Sequence, residues 1–130
     1  MGLEGMVDMT RCLLIDDDSR ESRSLQRLLG ALGVDTVQAS QADDALQLCT
    51  AETPDMVMVA ARGADGRPRD FVRRLRRTAR GKAPVVFLYA NTPDTDVIGQ
   101  SILQGAADVL MQPIDRELLR FKLQQAGLIA

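Results

Sequence analysis

Five short apolar runs recur along this chain, each followed by a longer stretch of helical periodicity, and that alternation leaves few architectures open. The runs are Cys12 to Ile15, Val34 to Gln38, Pro54 to Ala61, Val85 to Ala90 and Ala107 to Met111. They have strand length, and the longest are rich in the β-branched residues that pack well on a pleated surface. Strand and helix in strict succession require parallel strands joined by right-handed crossovers, with helices covering both faces of one sheet. The expectation is an α/β, three-layer, doubly wound (βα)5 domain with a parallel five-stranded sheet.

The punctuation agrees. Asp18 with Glu21 forms a capping box ahead of Leu25, Leu28, Leu29 and Leu32, and Gly33 closes that helix. Ser40 with Asp43 is expected to start a second helix that buries Ala42, Ala45, Leu46 and Cys49. A third, from about Arg69 to Arg80, hides Phe71, Val72 and Leu75. Thr92 and Pro93 open a fourth, with Asp94 and Asp96 near its positive end, and Gly105 ends it. Asp115 starts a last helix carrying Leu118, Leu119, Phe121, Lys122 and Leu123. Gln112-Pro113 is a candidate cis bond, X-Pro being the common place for one.

At 130 residues the chain is about one domain, expected to comprise a disordered extension over residues 1–10 and a folded domain over 11–130. Its charge is unevenly spread. Nine basic residues between Arg62 and Lys82 face only Asp65 and Asp70, although the net charge of the whole chain is −2. Within that segment Arg69, Arg73, Arg76 and Arg80 recur at i, i+4, i+7 and i+11, a stripe of guanidinium groups on one helix face. The chain has no histidine, which excludes histidine-based zinc sites and catalytic triads. Cys12 and Cys49 fall inside predicted elements and read as buried thiols in a reducing compartment, hence the cytoplasm. There is no signal-peptide pattern and no stretch of membrane-spanning length. One tyrosine, no tryptophan and no DNA-binding motif argue against nucleic acid.

In doubly wound folds chemistry sits at the carboxyl ends of the central strands, so the residue ending the third run decides function. That residue is Ala60. Around it, Leu14-Ile15-Asp16-Asp17-Asp18-Ser19, Pro54-Asp55, Gly105-Ala106-Ala107-Asp108 and Gln112-Pro113-Ile114-Asp115-Arg116-Glu117, in that order and spacing, strongly resemble the receiver domain of bacterial two-component response regulators. The resemblance spans Arg11 to about Ile129, and the close, Phe121 to Ile129, is similar to single-domain receivers of alphaproteobacteria. It implies a flavodoxin-like fold of strand order 2-1-3-4-5 and a role in phosphorelay signalling. The implied partners are a histidine kinase, a phosphotransferase or a motility protein, with the chain a monomer or weak homodimer.

In that family an aspartate ending strand three takes a phosphoryl group. Mg²⁺ neutralises charge beside it, and a hydroxyl ending strand four and a lysine before the strand-five proline bind the phosphoryl oxygens. Position by position, the strand-one carboxylates are kept as Asp16 and Asp17, but the nucleophile position is Ala60, the hydroxyl position Tyr89, the lysine position Gln112 and the swinging aromatic Val109. The resemblance therefore implies a degenerate receiver with no catalytic residue, not an enzyme. Asp16 and Asp17 alone would hold Mg²⁺ weakly or not at all, since that ion wants octahedral oxygens; equally, one of them survives as a helix cap. With no cation between them, one is expected to titrate high.

Tyr89 has two readings: a switch whose phenol fills the empty phosphoryl pocket, or a core aromatic with its hydroxyl at the rim. The arginine segment has two as well. It is either a solvated helix face, or a docking site in which Arg62, Arg67, Arg69, Asp70, Arg73, Arg76, Arg77 and Arg80 meet a protein partner or cyclic-di-GMP, arginine forks suiting carboxylate, phosphate and guanine edges. Arg62 to Asp65 and Arg67 to Asp70 have the Arg-x-x-Asp spacing of cyclic-di-GMP contact motifs.

Overall fold

A computed structural model describes residues 9–16, 20–61, 68–78, 83–90 and 95–130, and of residues 68, 69, 78 and 95–97 the backbone alone. The elements alternate as expected: β1 (Thr10–Ile15), α1 (Arg20–Ala31), β2 (Val34–Ala39), α2 (Ala42–Ala51), β3 (Met56–Ala60), α3 (Pro68–Thr78), β4 (Val85–Ala90), α4 (Thr95–Leu103), β5 (Asp108–Met111) and α5 (Arg116–Gln125). The strands form one sheet in the order β2-β1-β3-β4-β5, every pairing parallel. Of the expected extension, residues 1–8 lie outside the described residues, and Thr10 already belongs to β1.

Alternation along each strand sorts the core into two layers. Leu13, Ile15, Val57, Val59, Val86 and Leu88 face α2 and α3, where Ala45, Leu46, Cys49, Phe71, Val72 and Leu75 meet them. Cys12, Leu14, Met56, Met58, Ala60, Phe87 and Tyr89 face the other way, against Leu25 and Leu29 of α1 and Leu119 and Leu123 of α5. All five residues of β3 are buried, which is why the run reads as apolar at every position. Each fully buried side chain of the Leu, Val or Phe kind contributes about 1.5–3 kcal/mol of transfer free energy, so these two layers are the main source of stability. Burial also pushes the Cys12 thiol up to about 12 and the Cys49 thiol up to about 11, and both stay protonated and unreactive near neutral pH.

Helix ends divide into expected and corrected. Asp115 caps α5 by accepting from the Leu118 amide at 3.1 Å, and Gly33 closes α1 with φ 81°. The Gln112-Pro113 bond is cis. The expected Ser40 cap of α2 is not made: Gln41 holds the cap position, with no side-chain hydrogen bond. Asp43 and Asp44 in the first turn still complement the helix dipole there. The Asp18 capping box and the Thr92-Pro93 start of α4 lie outside the described residues.

Candidate functional site

The site is a row of three residues at the carboxyl ends of β1, β3 and β4. Ile15 pairs with Val59, which sets Asp16 beside Ala60, and Ala60 pairs with Tyr89. Ala60 and Tyr89 both belong to the layer facing α1 and α5, and Asp16 shares their parity with Cys12 and Leu14. All three are nearly closed to solvent, at 2% for Asp16, 3% for Ala60 and 3% for Tyr89.

Across that row Tyr89 donates its hydroxyl to Asp16 Oδ2 at 2.7 Å. Because β3 separates β4 from β1, the phenol must pass the level of Ala60, bridging two strand spacings of about 4.8 Å each. A methyl group leaves the path open, and a longer residue at that position would stand in it. The small residue on the central strand and the large one beside it are thus complementary in shape as well as neighbours in register. Of the two readings of Tyr89, this geometry favours a phenol turned into the row over a hydroxyl left at a solvent rim.

Asp16 is also held through its backbone. Its amide donates to Ala39 O at 3.1 Å, and its carbonyl accepts from Gln38 Nε2 at 3.1 Å. Gln38 in turn accepts from Gln26 Nε2 of α1 at 2.6 Å. Neither glutamine stands out in the sequence. Gln38 is one of three polar residues of β2, half-buried one residue before the strand's end.

Of the other expected site residues, Asp17 lies outside the described residues. Gln112 comes to the neighbouring end of β5, its amide donating to Ala90 O at 2.8 Å, and its side-chain Nε2 is buried with no hydrogen-bond partner among the described residues. Val109 is half-buried and packs on the layer that holds α2 and α3, beside Leu88 in register and away from the face of Tyr89. Among the described residues no group of three acidic, histidine or cysteine side chains is placed to hold a metal. Of the described residues, Ala60 offers a magnesium ion no side-chain oxygen, and one oxygen of Asp16 already accepts from a phenol.

The arginine segment is only partly described. Arg62, Arg67 and Arg80 lie outside the described residues, as does the side chain of Arg69. On α3, Arg73 and Arg77 are exposed, and Arg73 makes a loose 3.5 Å pair with Asp70. Arg74, off the stripe, reaches Asp43 of α2 at 3.2 Å. Arg76 lies along Gly105 at the end of α4: a Cβ there would sit 2.6 Å from its Nη1, and Gly105 has φ 118°, a conformation that suits glycine. One of the four stripe residues, though exposed, therefore lies against the end of α4.

At the β5 edge of the sheet, Ile102, Leu103, Met111, Leu118 and Phe121 leave a run of exposed apolar side chains across α4, β5 and α5, Leu103 being 79% exposed. Lys122 and Asp108 tie α5 to β5 at 2.5 Å. Partial burial pushes the Asp108 carboxyl up, but the Lys122 hydrogen bond, the Val109 amide and the Lys122 charge together hold it below its ordinary value. No helix among the described residues is long and apolar enough to cross a membrane.

Comparison with known proteins places this geometry. Residues 12–124 match the model of the response regulator receiver domain. Protein PilH of Pseudomonas aeruginosa is 31% identical over 114 residues, covering 85% of this chain and 92% of that protein. A cyclic di-GMP phosphodiesterase of Thermotoga maritima is 25% identical over 114 residues, covering 88% of this chain but 30% of the larger protein. A response-regulator crystal structure from Chloroflexus aurantiacus superposes with a TM-score of 0.82 at 19% identity, covering 91% of this chain and 97% of that one, a likeness of fold alone. Receivers of this kind act in signal transduction by engaging kinases and other signalling proteins, and the chain belongs to the response regulator receiver domain family.

Proposed function

We propose that this chain is a receiver that signals without being phosphorylated, a cytoplasmic docking module and not an enzyme. The observation that carries the reading is the Tyr89 to Asp16 hydrogen bond running past Ala60. Where the family presents a carboxylate nucleophile, a methyl group cannot accept a phosphoryl group, and the space the group would enter is crossed by a phenol. Gln112 in place of a lysine removes the cation that would neutralise the transferred charge. Mg²⁺ binding at Asp16 and Asp17 is correspondingly weak. The partner is a kinase, a phosphotransferase or a motility component. Its docking surface is the exposed apolar run on α4, β5 and α5, elements that also carry the Arg120–Glu117 and Lys122–Asp108 pairs. The chain works as a monomer or weak homodimer.

A second reading has its own observation. Arg73 and Arg77 project from α3 with little acidic company, a surface suited to an anionic ligand such as cyclic-di-GMP. One amide NMR titration tests both. Mg²⁺ with a phosphoryl mimic is added first and cyclic-di-GMP second, while intact mass follows exposure to a small-molecule phosphodonor. The proposal expects no phosphorylation and little shift near Ala60. Uptake of phosphate on an aspartate would sink it, and salt-sensitive shifts along Arg73 to Arg77 on adding the dinucleotide would move the reading to a ligand-binding effector.

A further inference from the structure

Asp16 is held by other strands through both backbone and side chain, and the chain of bonds leaving it does not stop at the sheet. From Tyr89 the path runs through the Asp16 carboxylate at 2.7 Å, the Asp16 carbonyl, Gln38 at 3.1 Å and Gln26 of α1 at 2.6 Å. The direction of every amide in it is fixed by chemistry. A carbonyl can only accept, so Gln38 must present Nε2 to Asp16, and its Oε1 must then face Gln26, which can only donate. A network in which each member has one permitted orientation responds as a unit when one member is removed.

We propose that Gln38 is a positioning residue which makes α1 and the free edge of β2 report the state of the Tyr89–Asp16 pair, so that whatever displaces the phenol is sensed on that side of the sheet. This rests on the reading of Tyr89 as the occupant of the former phosphoryl pocket. It adds a site of output remote from the apolar run on α4, β5 and α5. Coupling of this kind is a claim about energy shared between residues, and spatial continuity alone does not establish it. The decisive measurement is therefore a double-mutant cycle.

Tyr89→Phe removes the hydroxyl and keeps the ring. Gln38→Glu keeps the shape but turns an oxygen toward the Asp16 carbonyl, and Gln38→Met removes both polar atoms. The readouts are the side-chain NH₂ resonances of Gln26 and the hydrogen-exchange rates of α1 amides in the full chain, with melting curves confirming that each variant is folded. Tyr89→Phe in the parent should shift the Gln26 side-chain resonances and speed exchange in α1 severalfold, and in either Gln38 variant the added effect at α1 should vanish. An unchanged Gln26 signal in Tyr89→Phe would overturn the proposal, as would an α1 response of the same size with Gln38 replaced. Because none of these readouts involves phosphate or metal, they can fail while the reading of the silent receiver stands, and the reverse.

Discussion

The carboxyl ends of the central strands and the outer face of α3 are both unusual for what they lack, but in opposite ways. At the strand ends the polar groups that remain are turned on one another: Asp16 is 2% exposed and its carboxylate is met by Tyr89. On α3 the charge points outward, and its described partners, Asp70 at 3.5 Å and Asp43 at 3.2 Å, are loose and solvent-facing. Exposed pairs of this kind add at most about 1 kcal/mol each. A buried polar pair is different, since removing one partner strands the other away from water. The difference is one of polar groups closed into the core at the strand ends against charge left to solvent on α3, and on the proposed reading only the surface is open to a partner.

The largest effect is expected from placing a carboxylate at position 60. Ala60→Asp puts an acid beside Asp16 and in the path of the phenol, and carboxylates about 5 Å apart at an effective dielectric of about 20 repel by about 3 kcal/mol. Urea unfolding without metal should show a loss of that order. Part of it should return when Tyr89→Thr is added and Mg²⁺ is supplied. A metal-free Ala60→Asp protein as stable as the parent would mean that the row is roomier and wetter than its burial implies.

Tyr89→Phe comes next, at about 1–3 kcal/mol, the usual cost of withdrawing a hydrogen bond from a buried polar group. A cost near zero would return Tyr89 to the role of an ordinary core aromatic. Gly105→Ala tests whether Arg76 belongs to structure or to binding. A side chain at φ 118° that also pushes on the Arg76 guanidinium should cost about 1–2 kcal/mol, and adding Arg76→Ala should relieve the contact but not the backbone strain.

The acid limb of stability probes the β5 edge of the sheet. The Asp108 carboxyl lies below its ordinary value of 3.8 in the folded protein, so its pairing with Lys122 stabilises fully above that pH and is lost as pH falls below it. With that carboxylate 38% exposed, screening limits the effect to a fraction of a kcal/mol. Asp108→Asn should flatten that part of the stability curve and leave the neutral region nearly unchanged. Smallest of all, Arg73→Ala with Arg77→Ala should alter stability by less than about 0.5 kcal/mol while abolishing any binding that uses α3. A large loss of stability would show that the ridge is structural.

Much of the fold was legible because local periodicity and global architecture agree. Phe71, Val72 and Leu75 are buried on α3, and Ala42, Ala45, Leu46 and Cys49 on α2, as their spacing required. Ser40 misled, because a serine near a helix start is a good cap only if the backbone enters the helix at that residue, and the chain enters one residue later, at Gln41. The strand-end positions of Ala60 and Tyr89 could likewise be placed from the pattern of runs.

What the residues alone determined was the inventory: a methyl group, a phenol and an amide at the positions the resemblance to receivers singles out, and a helix studded with guanidinium groups. Those are matters of identity and spacing along one chain. Which of them meet was decided by sheet order, since β1 and β4 become partners across β3 only when strands distant in sequence are set side by side. The bond between Tyr89 and Asp16 spans 73 positions of sequence, and no local pattern encodes it. The same holds for Gln38, an unremarkable edge-strand residue until parallel pairing brings it to the carbonyl of Asp16. Hydrogen bonds act over about 3 Å, so which groups form them is settled by tertiary placement, whereas burial follows a residue's own chemistry and can be read one residue at a time.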